Sequence, residues 1–133
     1  PHLGVDAITG AAELVMALQT IVARKLPPGA GAVVSVTEIS SDGQRNVLPG
    51  TALLNGDVRA RLPQHRDAIR KFMKQITSGL AATHNVQIDM QFETEFIETI
   101  NAKEPTDSVI RVANAQGLTI KARQLFREES QLL

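Results

Sequence analysis

The segment Asn46–Leu62, NVLPGTALLNGDVRARL, decides how the rest of the chain is read. From Ala52 onward, Ala52, Leu54, Gly56, Val58, Ala60 and Leu62 are small or apolar. The alternate positions Leu53, Asn55, Asp57, Arg59 and Arg61 are, after the first, polar or charged. Successive strand side chains point to opposite faces, so this pattern predicts a half-buried strand. One face packs on a core, and the other, bearing arginines, meets either solvent or a ligand.

Upstream, Ala32–Ile39 is a β-branched run that reads as a second strand, closed by the turn formers Ser40, Ser41, Asp42 and Gly43. Before it, Ile8, Ala11, Ala12, Val15, Leu18, Ile21 and Val22 recur at helical spacing, which predicts a helix over Val5–Arg24 with Asp6 capping its start. Pro27 and Pro28 end it, since proline lacks a backbone donor and disfavours helix in the residue before it. Downstream, Pro63 opens a second helix with Ile69, Phe72, Met73, Ile76 and Leu80 on one face, and His84-Asn85 stops it. From Val86 to Ile97 the alternation returns, with Val86, Ile88, Met90, Phe92, Thr94 and Phe96 expected inward. A short helix is expected from Pro105 to about Ala115, ended by Gly117. A short strand is expected over Leu118–Ala122, followed by a loosely held charged tail, Arg123–Leu133.

Helix, strand, strand, helix, strand is the α+β order of a ferredoxin-like two-layer sandwich, an antiparallel sheet with two helices on one face, with its first strand missing. That strand is central in the usual order, so its loss would leave its neighbours with unpaired backbone groups. It is expected upstream of Pro1 in a longer parent protein. Otherwise the tail or a second copy would fill the gap.

The 133 residues, 43% of them hydrophobic, suit one globular domain. Fourteen basic residues balance fourteen acidic ones, so no global field attracts nucleic acid or an anionic membrane. Without cysteine there are no disulfides and no thiolate chemistry, which fits the cytoplasm. No apolar run is long enough for a membrane span, and the start is not a signal peptide, so the chain is expected to be soluble.

Local chemistry is sparse. His2, His65 and His84 stand far apart, no His-x-Asp or His-Glu-x-x-His occurs, and no serine sits in a nucleophile elbow. Glu93 and Glu95 share a strand face and could act as paired carboxylates, or simply decorate a solvated surface. His65 in a first helical turn reads as surface, and His84 suits a helix C-terminus. Asn46 is either a turn residue or a site residue, and Arg59 and Arg61 are either solvated or ligand-facing.

Several features in order resemble one family. They are Pro1-His2-Leu3-Gly4-Val5-Asp6-Ala7-Ile8 leading a helix, Leu18-Gln19-Thr20-Ile21-Val22 within it, Asn46-Val47-Leu48-Pro49-Gly50 before a strand that reaches Arg59, and Asn101 after the last long strand. Together they are similar to the inserted dimerisation, or lid, domain of M20-type metallopeptidases and amidohydrolases, near the hippurate hydrolase and N-acyl-amino-acid deacylase branch. The resemblance covers residues 1–105, with 106–133 as the start of a return segment toward a catalytic domain outside this chain.

What it implies is a parent that hydrolyses N-acyl amino acids or small peptides with two divalent metals, usually zinc, all of whose ligands lie outside this chain. Pro1-His2 matches only the end of the family's Gly-His-x-x-x-Pro-His motif. Asn46 matches an asparagine that approaches substrate, and Arg59 an arginine that binds the substrate carboxylate. His2, Asn46 and Arg59 are therefore the expected substrate-binding residues, with no catalytic or metal-binding residue in this chain. The resemblance also implies a homodimer formed through the edge strand Val33–Ile39 and helix 5–24. A stand-alone ferredoxin-like sensing or oligomerisation module is the rival reading, although a glycine-rich effector loop is missing. An RNA-binding sheet face is disfavoured, because the chain has no Trp or Tyr.

Overall fold

In a computed structural model of the protein, residues 4–96, 100–118 and 131–132 are described, the last pair by backbone alone. Helix α1 runs Ala7–Thr20, and the Asp6 carboxylate caps it by accepting from the Ile8 and Thr9 amides at 3.0 and 3.3 Å. The helix continues as one wider π turn over Ile21–Lys25, closed by the Leu26 amide donating to Ile21 O, before Pro27. Ala7–Lys25 is 19 residues, long and apolar enough by composition to cross a membrane, which corrects the expectation that no such run exists. Here its stripe of Ala11, Leu14, Leu18 and Ile21 is buried in the core.

Strands β1 (Ala32–Ser41) and β2 (Ala52–Ala60) pair antiparallel, with Val34 opposite Val58 and Val33 opposite Arg59. A bulge between Val36 and Glu38 shifts the register at Thr37. The alternation read from the sequence is met on β2. Gly56, Val58 and Ala60 are buried beneath the helices, whereas Leu53 and Arg59 are exposed on the open face.

Helix α2 (Pro63–His84) starts with proline in its first turn and ends at Asn85, whose left-handed backbone (φ 54°) terminates it. Its face of Ile69, Met73 and Leu80 meets Leu14, Leu18 and Ile21 of the first helix and Val34 and Val58 of the sheet in one cluster. Burying residues of this size removes enough apolar area from water to supply the main favourable term of the fold.

Beyond Asn85 the expected strand is met only in part. Exposure alternates from Val86 to Phe92, with Val86, Ile88, Met90 and Phe92 half-buried, yet ladder pairing is confined to β3 (Glu93–Thr94). Thr94 and Phe96, expected inward, are exposed, and Ile97 lies outside the described residues. The cause is the neighbour. The sheet order is β1-β2-β4-β3, and β4 is only Gln131–Leu132, wedged antiparallel between Asp57–Val58 of β2 and Glu93–Thr94. The tail thus enters the place expected for the central strand, and among the described residues it pairs at one end of it. Beside it is a cavity of about 600 Å³ between β2, the Val86–Gln91 segment and the two helices.

Helix α3 spans Lys103–Ala115, two residues earlier than expected, and none of its residues is buried; Gly117 follows with φ 70°. Most of the expected strand Leu118–Ala122 lies outside the described residues.

Candidate functional site

Two surfaces hold the residues singled out by sequence. The first is the loop from Asp42 to Thr51. Asp42 accepts from the Thr51 amide at 2.9 Å, a bond that holds its carboxyl below the usual carboxylate range. Inside that clasp, Gln44 and Val47 exchange backbone hydrogen bonds of 3.4 and 3.0 Å, leaving Arg45 and Asn46 as the two central residues of a tight turn. The Pro49 carbonyl accepts from the Ala7 amide at 3.3 Å and fixes the loop to the start of α1. Asn46 is therefore both a turn residue and an exposed one. It lines a shallow cavity of about 490 Å³ with Asp6, Ile8, Leu48 and Pro49.

The second surface is the open face of the sheet. Arg59 Nε lies 2.6 Å from Asp57 Oδ2, so the guanidinium is held by the carboxylate two residues back on the same face while remaining nearly half exposed. One step along, Asn55 Nδ2 donates to Glu38 Oε2 at 2.7 Å across the strands. Asp57 and Glu38 were not singled out by sequence. The signal for Asp57 was its spacing of two from Arg59, which in a strand places both on one face.

Asn46 and Arg59 are not brought together. At about 3.3 Å per residue, the seven steps of β2 from Ala52 to Arg59 alone cover roughly 23 Å. His2 lies outside the described residues. Among the described residues no group of three or more His, Cys, Asp and Glu side chains stands close enough to hold a metal.

The other histidines have structural partners. His65, expected on the surface, is half-buried with Nδ1 2.9 Å from the Ala30 carbonyl, which ties the start of α2 to the loop before β1. That contact spans 35 residues of sequence and leaves no local signal.

Residues 1–85 match the model of the peptidase dimerisation domain family. An N-acetyldiaminopimelate deacetylase from Leuconostoc mesenteroides is 42% identical over 94 residues, which is 71% of this chain and 24% of that protein. An N-acyl-L-amino acid amidohydrolase from Geobacillus stearothermophilus is 33% identical over 78% of this chain and 28% of its own length. The crystal structure of a protein assigned as an aminohydrolase, from methicillin-resistant Staphylococcus aureus, superposes with a TM-score of 0.78 at 28% identity, covering 92% of this chain and 32% of that one. The chain spans 23–32% of the length of the deacetylases it matches. With a two-layer α+β fold, an open edge strand and these relatives, the chain belongs to the M20 family of peptidase dimerisation domains.

Proposed function

We propose that this domain joins two subunits of a longer, metal-dependent amidohydrolase and caps its substrate, an N-acyl amino acid or small peptide. The observation that carries this reading is the pairing of an open edge, β1, with an arginine-bearing open face one strand away. An edge strand rich in Val and Ile exposes backbone groups that favour a second copy, with α1 packing beside its mate. The names of the relatives share one chemistry. A deacetylase of an amino acid and an acyl-amino-acid amidohydrolase both cut an amide close to a free carboxylate.

Arg59 suits that carboxylate, because a planar guanidinium grips two oxygens at once. Asp57 holds the group in place beforehand, so less rotamer freedom is lost on binding. Asn46 and His2 would serve the amide end, with an amide donor well suited to an oxyanion. Because Asn46 and Arg59 stand farther apart on this chain than an N-acyl amino acid can reach, they would serve the two active sites of a dimer. Two divalent metals, expected to be zinc, would be bound by the rest of that protein.

Two experiments test the proposal. Sedimentation equilibrium of the chain is expected to show a concentration-dependent dimer, and a monomer at high concentration would overturn the dimerisation role. Incubated with zinc and N-acetyl amino acids, the pure chain is expected to release no acetate. Turnover that depends on zinc would overturn the assignment of the catalytic groups to the rest of the protein.

A further inference from the structure

We propose that Glu38 reads the side-chain end of the substrate and selects a cation there, so that N-acyl amino acids ending in a side-chain ammonium are preferred. The inference rests on the reading of Arg59 as the grip on the substrate carboxylate, and it adds a second fixed point on the same face.

The bulge in β1 is what brings Glu38 to that face. Val33 stands opposite Arg59 and Ser35 opposite Asp57, so the odd-numbered residues of β1 start out on the open side of the sheet. Continued evenly, that register would set Thr37 against Asn55 and turn Glu38 toward the helices. Instead the register shifts between Val36 and Glu38, and Glu38 stands opposite Asn55. Thr37 is the extra residue, and its hydroxyl donates to the Asn55 carbonyl at 3.4 Å. A bulge re-aims the side chains that follow it, and this one delivers a carboxylate to the face that carries Arg59.

The charges on that face are not equivalent. Arg59 Nε lies 2.6 Å from Asp57 Oδ2, so those two groups offset each other. Asn55 Nδ2 donates to Glu38 Oε2 at 2.7 Å, and because Asn55 is neutral the bond orients the carboxylate without cancelling its charge. A carboxylate accepts at several lone pairs, so a further donor can be seated. Glu38 is exposed, and a second copy pairing along β1 would lie in the plane of the sheet, leaving this face uncovered.

The spacing names the ligand. The ion pair draws the Arg59 guanidinium back toward Asp57, and from Asp57 to Asn55 the strand advances roughly 7 Å. An extended lysine-like amino acid carries its ammonium roughly 7 Å from its own carboxylate. Carboxylate on Arg59 and ammonium on Glu38 therefore fit one small molecule.

The test uses the longer protein that carries this domain and compares Nα-acetyl-lysine with Nα-acetyl-norleucine, which lacks only the ammonium. The ratio of their kcat/KM values is expected to favour the lysine compound and to fall about fivefold in Glu38→Gln, which keeps an acceptor for Asn55. Glu38→Lys is expected to invert the preference toward Nα-acetyl-α-aminoadipate, which ends in a carboxylate. A ratio unchanged in Glu38→Gln, including an equal loss on both substrates, would overturn the proposal. Arg59→Lys separates the two readings. If it raises KM for both substrates while the Glu38→Gln ratio stays put, only the role of Glu38 fails; if it moves neither KM, the carboxylate grip fails and the proposal falls with it.

Discussion

His84 Nε2 lies 2.6 Å from Glu13 Oε2, joining the last turn of α2 to the middle of α1 across 71 residues of sequence. The histidine side chain is 18% exposed and the carboxylate 51%, so the bond sits at the rim of the helix layer rather than inside it. His84→Ala is expected to lower unfolding stability by about 1 kcal/mol. Glu13→Ala should cost less, and the double mutant should cost less than the sum of the two. Denaturant unfolding of all four proteins checks this, and strict additivity would show that the contact contributes nothing.

Gly10 lies under that histidine in the interior of α1. A methyl group there would stand 3.6 Å from His84 Cγ, an ordinary van der Waals contact. Glycine inside a helix costs backbone entropy, so Gly10→Ala is expected to stabilise the domain by about 0.5–1 kcal/mol. A raised thermal midpoint with no change in oligomeric state would be the readout.

Asp42 supplies a pH dependence whose sign is fixed by its partner. Accepting from the Thr51 amide lowers its folded-state pKa beneath the ordinary value of 3.8. The contribution is therefore fully present above that value and is lost as pH falls through the lowered one. Asp42→Ala should be less stable than the parent at neutral pH, and the gap should close in strong acid. Melting curves taken from pH 7 downward would show the convergence.

Val36 tests the edge. By the backbone alternation set by β2, Val33 and Ser35 turn their groups toward the partner strand, and Val34 and Val36 turn theirs outward. Val36→Pro removes one outward donor beside the bulge, where proline is tolerated. It is expected to keep the fold, by circular dichroism, and to weaken self-association in sedimentation equilibrium. A dimer of unchanged strength would locate the contact elsewhere.

Arg59→Lys, made in the longer protein that carries this domain, is expected to raise KM for an N-acyl amino acid by about tenfold with a smaller change in kcat. The point charge survives, but the two-pronged grip does not. Removing the substrate's carboxylate should erase the difference between the two enzymes.

What could be read from sequence was whatever repeats at short range. The alternation from Ala52 to Ala60, the stripe of α1 with its Asp6 cap, and Pro63 and Asn85 at the ends of α2 are local patterns, and the fold follows them. What escaped depends on distant partners. The inward pattern of Val86–Phe92 was legible, but a ladder needs a neighbour, and among the described residues Gln131–Leu132 alone supplies one. His65 meets Ala30 and His84 meets Glu13 through the tertiary fold, so no spacing announces either contact. Arg59 and Asn46 were legible as candidates, yet their separation follows from the length of the strand between them, which a list of residues does not convey.

The bulge at Thr37 sets a limit on assembly. It breaks the regular outward spacing of β1 after Val36, so a neighbouring strand can pair evenly only along Ala32–Val36. At the far side of the sheet, the strand is just Glu93–Thr94. A head-to-tail stack needs two long complementary borders, and this sheet offers one half of one. Growth into filaments is thereby blocked, while a symmetric pair, which uses the same short border twice and then closes, remains open to it.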